Sequence, residues 1–466
     1  MSTALKKTVA TFARGIHPPQ GKALSQDAPI EVVPTPKQVQ IPLLQHAGAV
    51  CAMAVKNRQE VVLGDVVGQA DAWISAPVHA SIAGKVAKDT VATLPNGRHV
   101  ATIPIRAGKE QMEGMDLRAA ILGGSWPTAG LEQYAPDDIV AAVRQAGLVG
   151  MGGAAFPTHV KLQPAPKLPI ETLLVNGCEC EPYLNADYRL MVEAPEAVVS
   201  GALLAGRAAA AEKIVVAIED NKPEAIAALR RAAAGTGIDV AVVETKYPMG
   251  GERQLIPAVV GRLVPTGGLP LDVGVVVINV ATAVAGAVLR GRALTHRVVT
   301  VSGAGVAQPK NLLAPVGISY GELIEFCGGL LPCAARVVSG GPMMGFAVGD
   351  LGTPITKGTS GVTVLSHAEI DRGREAACVR CGLCVDVCPL NLVPTKIAHA
   401  ARAGQWDTAR RYHAPVCMEC GCCAYICPAQ IPLVQLIRAA KASLAGVNGA
   451  GISGTGVSEA TKGARR

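Results

Sequence analysis

The sequence predicts a multidomain α/β protein: a small β domain, a parallel-sheet domain, a second small β module and a cysteine-rich helical domain. The 466-residue chain is too long for one hydrophobic core and fits three or four domains. In its middle, apolar β-type runs alternate with helical stretches, which indicates a parallel sheet covered on both faces. Near the C-terminus, eight of the 14 cysteines form two copies of one spacing.

The first predicted domain spans residues 1–112. Residues 1–30 are rich in Pro and Gly, and short β-type stretches broken by Gly, Pro and Asp follow, which predicts a small barrel or sandwich. Their order between Val61 and Val86 resembles lipoyl/biotinyl-type barrel-sandwich domains. Those domains carry a modified lysine in a tight hairpin, but residues 69–73 here contain no lysine. The resemblance therefore implies the scaffold without the swinging-arm chemistry.

The second predicted domain, residues 113–297, is α/β. Continuous apolar runs at 214–218, 240–243 and 275–278 are typical of buried parallel strands. Pro223 is well placed for the first turn of a helix. The longest apolar stretch, residues 273–289, is shorter than the roughly 20 residues of a bilayer span. It is therefore predicted to form a buried strand, a turn and a helix.

The remaining chain is divided into three parts. Residues 298–365 return to short strands around one helix at 320–326, which favours a β-grasp-like (SLBB) module. Residues 366–445 contain the paired cysteine runs and helices. Residues 446–466 are rich in Gly, Ser and Thr and are predicted to form a flexible tail, because this composition buries little apolar surface.

Each cysteine run has the pattern C-x₂-C-x₂-C-x₃-C followed by Pro. This pattern is typical of two-cluster bacterial ferredoxins, in which the fourth cysteine of each run binds the other 4Fe–4S cluster. The predicted ligands of one cluster are Cys378, Cys381, Cys384 and Cys427, and those of the other are Cys417, Cys420, Cys423 and Cys388. Cys422 is left over and is predicted to be a packed or weakly reactive thiol.

Two other uses of these cysteines fit the spacing poorly. A zinc site needs only four ligands, usually two C-x₂-C pairs separated by a longer loop. A disulfide framework suits a small secreted chain. Fourteen cysteines mostly in ligand spacing instead predict a reducing compartment, since oxidation would damage such clusters.

A second group of motifs lies in the α/β domain. Gly150, Gly152 and Gly153 begin a glycine-rich segment ending at Phe156, followed by Lys161. Backbone N–H groups in such a turn can approach an anion closely. The segment matches neither a Walker loop nor a Rossmann fingerprint, and an ordinary turn is the alternative.

Three further segments follow predicted strands. Residues 176–187 contain several carboxylates and follow the strand at 172–175, where open α/β sheets bind ligands. Residues 247–255 and 279–282 add amide and hydroxyl groups that suit the edge or phosphate of a flavin. Helix caps and turns are the alternative for each segment alone. Cys178 and Cys180 are predicted to be structural thiols, because C-x-C lacks enough metal ligands.

The order of these motifs resembles the NADH- and FMN-binding flavoprotein subunit of respiratory complex I. Over residues 10–440 the chain is similar to the C-subunit family of Rnf/Rsx electron transport complexes, including the segments at 12–19 and 340–345. Two positions depart from the pattern. Ala155 stands where relatives usually have glycine, and would cost roughly 1 kcal/mol if φ must be positive. Ala281 replaces a glutamate of the complex I pattern.

The resemblance implies a cofactor site without a catalytic acid or base. Its residues would be Gly150, Gly152, Gly153, Ala154, Phe156, Lys161, Asn176, Glu179, Glu181, Tyr247, Glu252, Asn279 and Thr282. FMN would lie against the glycine-rich loop, with Asn176, Asn279 and Thr282 near its ring or phosphate. The residues expected to help place NADH are Lys161, Glu179, Glu181 and Tyr247.

The family further implies an NADH dehydrogenase subunit of an ion-translocating membrane complex. Electrons would pass between NADH, FMN, two 4Fe–4S clusters and a ferredoxin-like partner subunit. The subunit would bind peripherally, through partner subunits, to the cytoplasmic face of the bacterial inner membrane. The net charge of +7 includes no basic run that indicates nucleic acid. Two alternatives are a cobalamin reductase of a microcompartment, which generally lacks the lipoyl-like domain, and a non-catalytic iron–sulfur electron-wire or assembly subunit.

Overall fold

The computed structural model describes residues 9–163, 169–280, 284–370 and 373–448, with side chains up to residue 445. It forms two compact units, residues 1–372 and 373–466. Within the described residues, no helix is both long and apolar enough to cross a lipid bilayer.

The N-terminal part of the first unit consists of short strands. Their bounds are β1 Ile30–Val32, β2 Gln38–Pro42, β3 Ala52–Met53, β4 Glu60–Val61, β5 Val66–Gln69, β6 Val78–His79, β7 Gly84–Val86, β8 Thr90–Thr93 and β9 His99–Ala107. One antiparallel sheet has the order β2-β9-β7-β4, with β8 also on β9, and another has the order β3-β5-β6. Alternate residues of β2 and β9 form the core, with Val39 opposite Ile105 and Ile41 opposite Ile103.

A parallel α/β domain follows. Its elements are α1 Gly114–Ile121, α2 Pro136–Gln145, α3 Thr158–Leu162, β10 Thr172–Asn176, α4 Ala186–Glu193, α5 Pro195–Ala208, β11 Lys213–Glu219, α6 Pro223–Ala232, β12 Ile238–Val243, α7 Glu252–Val260, β13 Val275–Asn279 and α8 Val284–Arg290. The strand order is β12-β11-β10-β13 and all pairs are parallel. The chain therefore steps from β10 outward to β12 and then returns to the opposite side of β10.

This topology confirms the predicted parallel sheet. The apolar stretch at 273–289 forms β13 and α8, as its length and polar interruptions predict. The direction of winding reverses beside β10, so the carboxyl ends of β10 and β13 form a topological switch point. Ligands of open α/β sheets bind at such a switch point.

The third part of the first unit is a mixed sheet around one helix. Its elements are β14 His296–Ser302, β15 Lys310–Pro315, α9 Tyr320–Phe326, β16 Ala334–Ser339, β17 Phe346–Ala347 and β18 Gly361–Ser366. The strand order is β1-β15-β14-β18-β16-β17, so β1 joins this sheet rather than the β domain that follows it in sequence. The capping box of Ser319 and Glu322 starts α9 at the predicted position.

The second unit is helical. Its helices are α10 Leu383–Asp386, α11 Pro394–Arg402, α12 Trp406–Arg411, α13 Cys422–Tyr425 and α14 Leu433–Asn448. Buried Ile397 and Ile437 belong to the core that joins α11 and α14. Helix α14 extends to Asn448, into the predicted tail, and the rest of that tail lies outside the described residues.

Candidate functional site

The carboxyl ends of β10 and β13 carry the two predicted asparagines. Asn176 and Asn279 are direct register partners across these strands. The Asn176 amide donates to the carbonyl oxygen of Gly250 at 2.8 Å, and its oxygen accepts from the Cys178 N–H at 3.2 Å. The Asn279 amide donates to the Asp187 carboxylate at 2.8 Å. Both side chains are therefore fixed at the switch point.

The glycine-rich segment forms a closed loop above this point. The Gly150 N–H donates to the Phe156 carbonyl at 2.8 Å, and the Ala155 N–H donates to the Gly150 carbonyl at 3.1 Å. Phe156 is half-buried, whereas Gly152, Gly153 and Ala154 are exposed at the tip. A Cβ on Gly152 would lie only 3.4 Å from the Asn279 amide nitrogen. The tip therefore lies against the end of β13.

Ala155 adopts the conformation that its glycine-like position requires. Its φ is 48°, in the left-handed region that costs an L-residue roughly 1–2 kcal/mol. Its methyl group would lie 3.2 Å from a Cβ at Gly358. The loop thus accommodates alanine, with a glycine opposite it.

Lys161 and Glu252 connect three elements near the site. The Lys161 ammonium on α3 lies 2.9 Å from the Glu252 carboxylate at the start of α7, and donates to the Val277 carbonyl of β13 at 3.0 Å. A carboxylate in the first turn of a helix is favoured by the helix dipole. Both side chains are partly exposed, so the lysine is a cation accessible from solvent.

Glu179 caps a helix. Its carboxylate accepts the backbone N–H groups of Asp187 at 2.8 Å and Tyr188 at 3.1 Å, at the start of α4. Glu179 itself has a φ of 47°. Its contact with NADH stays a prediction, and the structure shows that this carboxylate fixes the fold of its own loop.

Glu181 contacts the β-grasp-like module. Its carboxylate accepts the N–H groups of Met343 at 3.2 Å and Met344 at 2.8 Å, and the buried Tyr247 hydroxyl also bonds to it. A Cβ on Gly341 would lie 2.2 Å from a Glu181 oxygen, so only glycine allows this approach. Burial raises the pKa of Glu181 to about 7, although these hydrogen bonds oppose the rise.

Asp187 is a site residue that the sequence prediction missed. Burial raises the pKa of Asp187 to about 7, and the nearby Glu179 carboxylate adds to the rise, whereas the Asn279 amide opposes it. It lies in the predicted carboxylate-rich segment, but its first-turn position in α4 is ordinary for a carboxylate. The predictions at Ala281 and Thr282 lie outside the described residues.

These contacts bring Gly152, Asn176 and Asn279 together at the switch point and tie Lys161 to β13. Glu181 and Tyr247 instead bond to each other, to the β-grasp-like module and to the segment near Ile16. An exposed backbone loop, two fixed amides and an accessible ammonium converge at the switch point. Flavin sites combine an apolar cleft with a few placed polar groups, and phosphates favour backbone N–H groups and cations. The residues therefore fit a flavin mononucleotide.

Five cysteines of the second unit line one cavity. They are Cys388, Cys417, Cys420 and Cys423, the predicted ligands of one cluster, and the leftover Cys422. Two thiols also accept backbone hydrogen bonds: the Glu419 N–H lies 3.3 Å from the Cys417 sulfur, and the Leu392 N–H lies 3.4 Å from the Cys388 sulfur. Such N–H···S bonds are a common means of tuning cluster potentials. The set fits a cubane cluster.

The other predicted set is also grouped. Cys378, Cys384 and Cys427 belong to one apolar cluster of side chains, which also contains Cys423 of the first set. Burial raises the pKa of the Cys384 thiol, and the neighbouring Cys427 and Cys381 add to that rise. Cys422 is fully buried, as predicted. The grouping brings the fourth cysteine of one run to the first three of the other, while the ligand assignment itself stays a prediction.

Family models match four segments of the chain. They are described as RnfC Barrel sandwich hybrid domain at residues 10–110, Nuo51 FMN-binding domain at 143–287, SLBB domain at 298–347 and 4Fe-4S dicluster domain at 377–431. These matches confirm the predicted fold class and the FMN-binding and two-cluster domains.

Curated relatives match this chain over most of their length. The C subunit of a proton-translocating ferredoxin:NAD(+) oxidoreductase complex from Clostridium ljungdahlii is 41% identical over 83% of this chain and 84% of the relative. The chain belongs to this RnfC family. The Na(+)-translocating counterpart from Acetobacterium woodii is 40% identical over 87% of this chain and 90% of its own.

A third relative shows the same relationship. The C subunit of the ion-translocating oxidoreductase complex of Rhodobacter capsulatus is 40% identical over 85% of this chain and 76% of its own. Membership of the RnfC family confirms the predicted resemblance. The barrel-sandwich match at residues 10–110 favours this family over the cobalamin reductase alternative, which generally lacks that domain.

Proposed function

We propose that this RnfC-family protein oxidises or regenerates NADH and transfers electrons within a membrane-bound, ion-translocating complex. Electrons pass between NADH, FMN, two 4Fe–4S clusters and a ferredoxin-like partner subunit. The protein binds through its partners to the cytoplasmic face of the bacterial inner membrane. The names of the Clostridium and Acetobacterium relatives support the reaction, since both belong to ferredoxin:NAD(+) oxidoreductase complexes.

The observation that carries the proposal is the joint geometry of Asn176, Asn279 and Gly152. Two register-matched amides and an exposed glycine tip meet at the switch point of a parallel sheet. This is the place where open α/β sheets bind nucleotides and flavins. The same chain carries two grouped sets of four cysteines, so a two-electron site and one-electron sites occur together.

The residues have separate tasks in this proposal. When bound, FMN accepts a hydride from NADH and exchanges single electrons with the iron–sulfur clusters. The tip at Gly152 and Gly153 admits the flavin closely because it carries no side chains, and Asn279 is held by Asp187 to face that tip. Lys161 supplies positive charge beside the site.

The segment at residues 178–184, here called the acidic loop, is assigned to the nucleotide. Glu179 and Glu181 keep their carboxylates on backbone N–H groups and so fix the loop that places NADH. Buried Tyr247 supports Glu181. No side chain has to transfer a proton to the substrate, because hydride transfer needs orientation and exclusion of water.

The decisive experiment is anaerobic reduction of the purified protein by NADH. We expect FMN and about eight irons per chain, with bleaching of the flavin followed by reduction of the clusters. A protein that retains FMN but shows neither change would contradict the dehydrogenase function. A protein that contains the clusters but cannot be loaded with FMN would support the alternative of a passive electron wire.

A further inference from the structure

The segment before β1 crosses the ligand end of the α/β domain. We call residues 9–25 the N-terminal arm. Ile16 and Tyr247 exchange two backbone hydrogen bonds of 2.9 Å, and the Tyr183 N–H donates to the Gln20 carbonyl at 2.7 Å. The arm therefore contacts two segments of the proposed nucleotide site, although its sequence lies more than 100 residues from either.

Lys22 of the arm reaches beneath the acidic loop, residues 178–184. Its side chain is buried, with 6% of the residue exposed. The ammonium donates to the carbonyl oxygens of Glu179 at 2.8 Å, Glu181 at 3.1 Å and Leu184 at 2.5 Å. Three carbonyls separated by up to five residues converge on this one cation.

The acidic loop needs such a partner. Glu179 has a φ of 47° and Tyr183 a φ of 68°, so two non-glycine residues of this loop are left-handed. Buried carbonyl groups without a donor are costly, and converging carbonyl dipoles repel each other. A second buried lysine, Lys222, donates to the Cys178 carbonyl at 2.6 Å at the start of the loop. Lys22 donates to the carbonyls of Glu179, Glu181 and Leu184 further along the loop.

Gly21 and the Lys22 backbone position the arm against the acidic loop. Gly21 has a φ of 58°, and a Cβ there would lie 2.5 Å from the Tyr183 ring. Glycine at this position lets the arm lie flat on the ring and turn Lys22 inward. On its other side, the Asn185 amide donates to the Lys22 carbonyl at 2.8 Å. Both the backbone and the side chain of Lys22 are thus tied to the loop and its exit.

We propose that Lys22 is a positioning residue for nicotinamide nucleotide binding: its ammonium fixes the acidic loop in the shape that receives NADH. This inference rests on the proposed function. Lys22 acts through the loop, because its ammonium is engaged by carbonyls. Its loss should weaken NADH binding and leave the flavin, which lies against the glycine-rich loop, in place.

The first test compares Lys22→Met with Lys310→Met. Methionine keeps the volume of the lysine stem but removes the charge. Lys310 pairs with Glu31 in the β-grasp-like sheet and serves as the matched control. We expect Lys22→Met to raise KM for NADH about tenfold or more, with kcat in NADH–ferricyanide turnover changed less than about twofold. FMN and iron contents should equal those of wild type and Lys310→Met.

An unchanged KM in Lys22→Met, or a fall in kcat alone, would overturn the positioning role. If wild type itself does not reduce its flavin with NADH, the proposed function fails, whatever the variant does.

The second test needs no variant and covers a Lys22→Met chain that does not fold. Hydrogen exchange is measured on the wild-type protein with and without NADH. Coupling between the arm and the loop is reciprocal, so NADH should slow exchange of the Ile16 amide as well as the Tyr183 amide. Slowing of the loop amides with no change in the arm would overturn the proposal.

Discussion

Asn176 and Asn279 lie side by side at the ends of two neighbouring parallel strands, and each directs its amide to a different outer partner. Asn176 donates to the Gly250 carbonyl and Asn279 to the Asp187 carboxylate, both at 2.8 Å. The register of β10 and β13 fixes the spacing of the two backbones. The Gly250 carbonyl and the Asp187 carboxylate fix the orientation of the two side chains. The proposed flavin site therefore depends on tertiary contacts from three segments.

Asn279→Ala should weaken FMN binding. The change removes an amide at the switch point and leaves the buried Asp187 carboxylate without that donor. Loss of one hydrogen bond from this amide to bound FMN costs about 0.5–1.5 kcal/mol, which corresponds to roughly 2- to 13-fold weaker FMN binding, whereas loss of the Asp187 contact lowers the free energy of unfolding. FMN per chain after gel filtration, and fluorescence titration with added FMN, measure the effect.

Asn96→Ala is the matched control, since Asn96 is an exposed asparagine of the β domain. It should retain FMN as wild type does. Equal FMN affinity in Asn279→Ala and wild type would show that this amide does not contribute to the site.

Ala155 and Gly358 should be coupled in stability. A methyl group at Gly358 would lie 3.2 Å from the Ala155 methyl, so Gly358→Ala should destabilise the protein by about 1 kcal/mol or more. In an Ala155→Gly background that contact disappears and Gly358→Ala should be nearly neutral. Ala155→Gly alone relieves a left-handed φ but gains unfolded-state entropy, so its net effect should stay within about 1 kcal/mol.

A double-mutant cycle measures this coupling from urea unfolding of wild type, both single variants and the double variant. The expected interaction free energy is about 1 kcal/mol, with the double variant more stable than Gly358→Ala. Additive effects would mean that the backbone moves to relieve the contact.

Local sequence pattern was enough for most elements of the fold. Apolar runs locate β11, β12 and β13, and the capping box of Ser319 and Glu322 sets the start of α9. The exception is β1, which pairs with β15 across more than 270 residues. A three-residue strand has too few residues for a periodic pattern, and its choice of sheet depends on pairing that no local sequence encodes.

The site was predictable only where it follows a motif. Asn176 and Asn279 end apolar strands, so their position at the sheet edge follows from the pattern. Asp187 and Lys22 act through burial and long-range contacts. A carboxylate in a first helical turn and a lysine in an irregular segment are ordinary in sequence, and only the fold shows what surrounds them.

The contribution of Glu181 to the stability of the first unit should fall as pH rises from 5.5 to 8.5, whereas buried His79 and Lys357, whose pKa values burial lowers, act with the opposite sign. Burial raises the folded-state pKa of Glu181 from 4.5 to about 7, so the folded state binds its proton more tightly than the unfolded state does. Its stabilising contribution is complete below pH 4.5 and is lost as pH rises through 7. The loss is roughly 3 kcal/mol over the full titration and roughly 2 kcal/mol between pH 5.5 and 8.5. Asp187, with its pKa raised to about 7, acts with the same sign.

Glu181→Gln should remove this contribution, because the amide does not titrate, so between pH 5.5 and 8.5 the variant should lose less stability, or gain more, than wild type. Thermal unfolding between pH 5.5 and 8.5 compares it with wild type and with Glu325→Gln, which changes an exposed carboxylate on α9. The control should keep the wild-type slope. A Glu181→Gln slope equal to that of wild type would show that Glu181 is ionised at low cost in the folded protein.

The crossed ligand assignment predicts which cysteine substitutions should resemble each other. If Cys427 binds the cluster of the first run, Cys427→Ala and Cys381→Ala should remove the same cluster, and Cys388→Ala and Cys420→Ala the other. Iron should fall from about eight to about four per chain in each variant. Cys422→Ala should keep all the iron, because this buried thiol is adjacent to ligands but outside both predicted sets.

Iron analysis gives the count, and electron paramagnetic resonance of the reduced variants shows which spectrum survives. If the spectrum of Cys427→Ala matches that of Cys420→Ala instead, each run binds its own cluster and the crossing is wrong.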